Sequence, residues 1–330
     1  MSDTFYPLRF RPVYQSYLWG GDRIPRMYGR AGAPTVCAES WEVSTRPEGM
    51  SVAVNGPWAG RTLADLAAMH GAALLGTRAS AGRFPLLIKL IDARERLSVQ
   101  VHPSDETAAR VGGEAKTEMW YLLDAAPDAQ VFAGFHPGVT PAQFEAALAA
   151  QRLEDVLAAL PVRPGEAIYM PGGRVHAVDA GCLILEVQQN SNTTYRLYDW
   201  GRVGADGRPR ETHVAQAQRV LQWSDDPPAR VTPGPSRRAP GAVVTPVLTC
   251  PYFCMEHVQP DGPWKLTGDP ATFQALFVAA GGARVTGPSA AHGEHWPAGT
   301  SVLLPAALPP HTLLPDGPET RLLQITLPET

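Results

Sequence analysis

The chain has 330 residues, 44% of them hydrophobic and 18% charged, with a formal net charge of −4. That composition supports one large or two ordinary folded domains and excludes a disordered chain. No long run of like charge is present, so nucleic acid and anionic membrane surfaces lack an electrostatic footprint; a small anionic substrate stays open, because a local basic pocket needs no basic protein.

The opening stretch MSDTFYPLRFRP lacks the apolar core of a signal peptide. No uninterrupted apolar run approaches the roughly 18 residues of a spanning helix. Four cysteines are too few for a disulfide framework, and Cys250 and Cys254 are expected as small buried residues on one face of a strand-like run. The simplest expectation is a cytoplasmic protein. Proline occurs 33 times and glycine 31 times. Proline is thus at about twice its ordinary usage of roughly 5%, which favours short elements, tight turns and β architecture.

In chain order, Trp19 and Trp41 read as core or pocket wall. TLADLAAMHGAALLG predicts a helix with Thr62 as N-cap and Asp65 in its first turn. FPLLIKLIDA predicts a strand, with Lys89 as a snorkelling edge lysine. In LSVQVHP, alternation puts Leu97, Val99 and Val101 on one face and Ser98, Gln100 and His102 on the other. That polar face either meets water or lines a cavity where Gln100 and His102 reach toward one bound atom. AKTEMWY places Lys116, Glu118 and Trp120 on one strand face. AQVFAGF follows as another strand. TPAQFEAALAAQRLEDVLAAL predicts two short helices, or one broken near Gln151, with Thr140 as cap and Pro141 at the first helical position. EAIYMPGG is a strand and turn that deliver His176. HAVDAGCLILEV reads as a hairpin turning at Asp179-Ala180-Gly181. TTYRLYDW carries Arg196 on a strand, and ETHVAQAQRVLQW predicts a turn or two of helix.

DDPPARVTPGPSRRAP, residues 225–240, reads as a linker or surface crossing. A second strand-rich segment follows it. Gly165 lies six residues before Pro171 and Gly299 six before Pro305, an echo expected of a repeated barrel unit. His176 follows Pro171 by five residues, but His311 follows Pro305 by six. An odd change of offset flips the face, so a site is expected only in the first copy. The expected organisation is a catalytic β domain over 1–224 with a short helical insertion near 140–160, a linker over 225–240, and a second, degenerate β domain over 241–330.

Gln100, His102, Glu118 and His176 together offer two imidazoles, one carboxylate and one amide oxygen. Such nitrogen and oxygen ligation suits Zn²⁺, and also Fe²⁺ or Mn²⁺. No single spacing is diagnostic, and an isolated histidine in a β protein is more often structural.

SVQVHP, KTE, PGGRVHA and ILEVQQNSNTTYRLYDWGR, with LWGG and ESWEVS upstream, together resemble the type I phosphomannose isomerases of the cupin superfamily, in their short bacterial form. The resemblance runs in order from Trp19 to Gly201. It implies a mainly all-β fold of cupin-type barrels or jelly rolls, two in number, with a few short helices. It implies one divalent metal per chain, zinc in the first place, held by Gln100, His102, Glu118 and His176. It carries catalytic roles onto Arg196 and Lys116, and substrate contacts onto Ser98, Lys116 and Arg196. The implied reaction interconverts mannose 6-phosphate and fructose 6-phosphate through an enediol. The implied partner is a sugar phosphate, with neither nucleic acid nor membrane, in a monomer or homodimer. Longer family members carry a large helical insertion between the glutamate and the second histidine; here only residues 119–175 separate them.

Alternatives stand beside several residues. Gln100 could satisfy a neighbouring backbone group, Ser98 could be a surface serine, Lys116 a solvated edge charge, and Arg196 a structural partner of Asp199. The general base is open among Lys116, Glu186 and a hydroxide at the metal. Two histidines and a carboxylate also form the facial triad of a non-haem Fe(II) cupin oxygenase, against which Gln100 and the basic groups weigh. A non-catalytic sugar-phosphate-binding cupin is the remaining rival, against which Lys116 and Arg196 weigh.

Overall fold

Short apolar strands closed by Gly, Pro, Asp and Asn turns are the commonest regular element of the chain, as their alternation predicts. The computed structural model describes residues 4–79, 82–204, 207–224, 227–288 and 290–329. The first strands are β1 (Phe10–Arg11), β2 (Val13–Gln15), β3 (Glu39–Val43), β4 (Val52–Ala53), β5 (Leu86–Ala93), β6 (Val99–Val101) and β7 (Glu118–Ala125). Then come β8 (Gln130–Phe135), β9 (Leu157–Pro161), β10 (Ala167–Met170), β11 (His176–Val178), β12 (Cys182–Gln189) and β13 (Tyr195–Tyr198). The C-terminal strands begin with β14 (Arg237–Ala239), β15 (Ala242–Thr249), β16 (Cys254–Pro260), β17 (Trp264–Leu266) and β18 (Gln274–Ala280). They end with β19 (Gly282–Gly287), β20 (Ala290–Pro297), β21 (Ser301–Leu304), β22 (His311–Pro315) and β23 (Arg321–Thr326).

Apart from the two-stranded sheet β1-β4, the strands form two pairs of facing sheets, the jelly-roll arrangement expected of cupins. The first pair has orders β10-β7-β12-β5-β3-β2 and β13-β6-β11-β8-β9. The second has orders β21-β18-β23-β16-β15-β14 and β17-β22-β19-β20. The larger sheets match strand for strand, and the smaller ones match apart from the additional β13. Two compact units result. One contains Tyr14–Ser40 and Ile88–Val231; the other contains Met1–Val13, Trp41–Leu87 and Thr232–Thr330. A linear division at 225–240 would leave residues 1–13 and 41–87 with the first barrel. They join the C-terminal strands because Leu8 exchanges backbone hydrogen bonds of 2.8 Å each way with Leu303, and Ala306 N donates to Leu74 O at 2.9 Å. Within the Pro-rich run, Arg237–Ala239 pair with β15 as an edge strand.

The helices are short: α1 (Arg23–Tyr28), α2 (Leu63–His70), α3 (Ala72–Leu75), α4 (Asp105–Val111), α5 (Pro141–Ala149) and α6 (Val214–Gln218). The Thr62 hydroxyl accepts from Asp65 N at 3.0 Å, and Thr140 forms a capping box with Gln143, so both predicted caps form. None among the described residues is long and apolar enough to cross a membrane.

Four local expectations are corrected. α5 does stop near Gln151, which has φ +57°, but the chain then makes a 3₁₀ turn and becomes strand β9 instead of a second helix. HAVDAGCLILEV is no hairpin: β11 pairs with β6 and β8, whereas β12 pairs with β7 in the opposite sheet. The Asp179–Gly181 turn is a corner between sheets, and a corner uses the same turn residues as a hairpin. Cys250 precedes β16 and only Cys254 lies in it, so the two do not share a strand face. His311 opens β22 opposite Leu266, as His176 opens β11 opposite Gln100. The loop absorbs the extra residue, so the face does not flip.

β6 shows what the first barrel buries. Val99 and Val101 are fully buried in a cluster with Phe132, Phe144 of α5 and Leu153. The helical cover therefore takes the apolar face of this strand, and the polar face turns inward between the sheets. A separate apolar cluster, with Trp19, Ile91, Leu122, Ile168 and Ile184, fills the rest of the interior.

Candidate metal centre

Strand register gathers the polar residues. Gln100 on β6 lies opposite His176 of β11 on one side and Arg196 of β13 on the other. From the facing sheet, β7 begins at Glu118, and its Trp120 lies opposite Glu186 of β12. The Pro171-Gly172-Gly173 turn that delivers His176 packs on the end of β6. A Cβ on Gly172 would meet Ser104 Cα at 2.6 Å, and Gly173, at φ +95°, donates its N–H to His102 O at 2.7 Å. Glycine is required at both positions, one by proximity and one by its dihedral.

His102, Glu118 and His176 have ligand atoms within 4.8 Å of one another and are 2%, 0% and 1% exposed. His102 Nε2 lies 3.4 Å from Glu118 Oε2, and His176 Nε2 lies 3.3 Å from Oε1. Each ring has its other nitrogen on a backbone carbonyl, His102 Nδ1 to Thr193 O and His176 Nδ1 to Arg174 O, both at 2.8 Å. Nδ1 therefore carries the proton in each neutral ring, and both Nε2 lone pairs face the carboxylate. Lone pairs facing a carboxylate repel unless a cation lies between them.

Protonation does not supply that cation. Burial, and then the Lys116 charge, push the His102 ring down to about 3, and burial lowers His176 as well. Burial also opposes the charge on Glu118, but Lys116 and the two imidazoles outweigh it and hold this carboxyl well below its usual range. Lys116 Nζ approaches Glu118 Oε2 at 2.8 Å and His102 Nε2 at 3.1 Å. Even so, neither Glu118 oxygen accepts a well-directed hydrogen bond. Lys116 offsets the Glu118 charge, but both carboxylate oxygens and both imidazole Nε2 atoms still converge without a well-directed hydrogen-bond donor on the carboxylate, so the donor set fits a bound divalent ion. Gln100 presents its amide nitrogen to His176 Nε2 at 3.4 Å; its oxygen would serve as a ligand after a rotation of the amide plane.

A cavity of about 320 Å³ opens beside this cluster and is lined by Ser98, Gln100, Lys116 and Arg196 among others. All the residues singled out from the sequence are thus brought to one place. Arg196 does not pair with Asp199, which is held by Arg202 at 2.5 Å and Arg210 at 2.6 Å. Arg196 instead donates through Nη1 to Glu211 O at 2.7 Å and through Nε to Ser98 Oγ at 3.3 Å.

On the other wall, sequence reasoning finds Glu186 as a candidate but misses Lys89 and Glu39. Lys89 is not a snorkelling edge residue: it is 7% exposed, lines the cavity, and lies 3.3 Å from Glu39 and 3.2 Å from Glu186. Burial opposes its charge, but Glu186 and Glu39 outweigh that and raise its pKa. Glu186 accepts from Trp120 Nε1 at 2.9 Å. Burial, then the Glu118 charge, push its carboxyl up despite Lys89. The available signal was a lysine inside a run otherwise apolar on both faces, which requires a buried counter-charge.

The model of the family "Phosphomannose isomerase type I, catalytic domain" matches residues 8–147. The mannose-6-phosphate isomerase ManA of Bacillus subtilis is 36% identical over 267 residues, 80% of this chain and 81% of that protein. A crystal structure of the mannose 6-phosphate isomerase from Bacillus subtilis superposes with a TM-score of 0.86 at 28% identity, covering 97% of this chain and 99% of that one. A mannose 6-phosphate isomerase structure bound with zinc and yttrium shares the fold at 16% identity, with a TM-score of 0.73 over 98% of this chain and 100% of that one.

Proposed function

We propose a mechanism from one premise: the chain belongs to the type I phosphomannose isomerases, whose reaction interconverts mannose 6-phosphate and fructose 6-phosphate. The reading is that one divalent ion per chain, zinc in the first place, is held by Gln100, His102, Glu118 and His176. The single observation that carries it is the pair of imidazole lone pairs aimed at a buried carboxylate. The mixed nitrogen and oxygen donors suit zinc, and the zinc-bound structure of the same fold puts it first. Bound there, the ion supplies Lewis-acid polarisation of a sugar carbonyl, an effect of several kcal/mol.

The chain's own groups do the rest. Isomerisation moves a proton between C1 and C2 of the open-chain sugar and builds negative charge on O1 and O2. The two buried carboxyls are driven in opposite directions, Glu118 down and Glu186 up. Such a split assigns roles: Glu118 stays ionised as a ligand, and Glu186, steadied by Trp120 and Lys89, carries the proton. Lys116 lies between the ligands and the cavity and donates to a substrate oxygen. Arg196 has Nε and Nη1 engaged, and Nη2 is its donor for the enediolate or the phosphate. Ser98 holds Arg196 in place. Isomerase relatives spanning most of the chain and the cations lining the cavity give the oxygenase and binding-protein alternatives no support.

All these groups come from Tyr14–Ser40 and Ile88–Val231. A monomer or a homodimer serves the reading equally, and the groups named for the chemistry do not include a described residue of 241–330. The reducing cytoplasm suits both a phosphorylated sugar and four cysteines that form no disulfide among the described residues. The test is a coupled assay for fructose 6-phosphate formed from mannose 6-phosphate, before chelation, after it, and after zinc return. Activity should vanish and come back. Activity that survives complete metal removal refutes the metal role, and metal-loaded protein without activity refutes the isomerase reading.

A further inference from the structure

We propose that the C-terminal barrel carries a second, metal-free binding site, for a neutral carbohydrate. In the first barrel Glu118 opens β7 opposite Met170, the last residue of β10. In the second, Gln274 opens β18 opposite Leu304, the last residue of β21. Glu186 lies opposite Trp120, and Gln324 lies opposite Leu276, the residue that corresponds to Trp120. The barrel positions that present carboxylates in the first unit therefore present carboxamides in the second.

These amides line a cavity of about 690 Å³, within the range of small-molecule pockets. They are fixed in a relay: Gln324 Nε2 donates to Gln274 Oε1 at 2.8 Å, and Gln274 Nε2 donates to Thr267 O at 2.7 Å. Gln274 is only 9% exposed. Among the described residues the relay leaves one N–H on each amide and the Gln324 oxygen for a ligand, a mixture of donors and acceptors that suits hydroxyl groups. Trp264, also 9% exposed, adds an aromatic wall against which the C–H face of a pyranose can pack.

Charge decides between a neutral and an anionic ligand. Arg78, Arg237 and Lys265 are matched in the lining by Glu256, Asp269 and Glu329. Arg237 is held bidentately by Glu256 at 2.6 and 3.1 Å, and Arg78 lies 3.5 Å from Glu329. No net field draws a phosphate, while neutralised arginine–carboxylate pairs still offer fixed polar edges to hydroxyls. A metal is disfavoured too, because the His102–Glu118–His176 cluster is the one group of metal-binding geometry among the described residues. The inference does not depend on the isomerase reading.

The test uses full-length protein labelled with ¹⁵N at tryptophan, the Trp264 indole resonance being assigned by its loss in Trp264→Phe. It is titrated with D-mannose, D-glucose and, separately, inorganic phosphate. A saturable shift of the Trp264 resonance with at least one hexose is expected, with none for phosphate. Gln324→Leu and, independently, Arg237→Gln should weaken the hexose response about tenfold, the loss of one polar partner, without changing isomerase turnover. If Gln324→Leu does not fold, Arg237→Gln decides. No saturable shift with either hexose overturns the proposal. So does a response to phosphate alone, or hexose binding of undiminished strength in the folded variants.

Discussion

The two barrels share a strand order, and in both a histidine opens the matching strand, β11 or β22. His176 and His311 each place Nδ1 against the carbonyl two residues earlier, Arg174 O at 2.8 Å and Pro309 O at 2.7 Å. Their surroundings differ. Opposite His176 is Gln100; opposite His311 is Leu266. Glu118 is replaced by Gln274 at the matching strand end. The fold therefore supplies a place where side chains from facing sheets meet, and the residues at that place decide whether a cation is needed. In the first barrel a buried carboxylate and two neutral imidazoles require one. In the second, the same backbone positions are satisfied by amides and leucine.

The largest effect that would break this contrast comes from Glu118→Ala. Metal and activity should be lost together, turnover falling by about three powers of ten if the ion contributes several kcal/mol. Elemental analysis beside the coupled assay checks this; full metal and full activity would remove Glu118 from the ligand set. Arg196→Ala should keep metal and fold while turnover drops by about two to three powers of ten, as for loss of one preorganised oxyanion donor. A raised KM with turnover little changed would instead assign Arg196 to the phosphate. Arg196→Lys should restore little, since an ammonium does not reproduce the guanidinium fork.

A smaller loss is expected for Glu186→Gln, about two powers of ten in turnover with metal retained, the lower range for a general base. The pH profile gives the sign. Glu186 must be ionised to accept the proton, and burial and the Glu118 charge raise its pKa. The acid limb of kcat/KM in the wild type should therefore lie above the ordinary carboxylate range and disappear in this variant. An unchanged acid limb would place the base elsewhere. The smallest effect sharpens the comparison from the other barrel. His311→Ala should leave kcat, KM and metal content unchanged and cost about 2–4 kcal/mol of stability, because the buried imidazole leaves a cavity as well as a lost hydrogen bond. Metal loss in that variant would show that the second histidine is more than structural.

Much of this was legible in the sequence, because alternation in LSVQVHP and AKTEMWY dictates which side chains share a face. What alternation does not reveal is which face the barrel encloses. Val99 and Val101 pack outward under the helices, so the polar face is the interior one. Lys89 was misread because an apolar run around a charge looks the same at a sheet edge and in a barrel wall; only the cross-strand partners Glu39 and Glu186 separate the two. The corner at Asp179–Gly181 was read as a hairpin because pairing partners lie far along the chain. α4 is not legible because a capped helix of about two turns, Asp105–Val111, carries too little periodicity.

The most direct test of the central claim exchanges the residue that distinguishes the two barrels. Glu118→Gln and Gln274→Glu proteins are loaded with zinc and dialysed, and metal per chain is measured beside turnover of mannose 6-phosphate. The account predicts no bound zinc and turnover near background for Glu118→Gln, and one zinc per chain with wild-type turnover for Gln274→Glu. A Glu118→Gln protein that retains one zinc per chain and turns over like the wild type would contradict it.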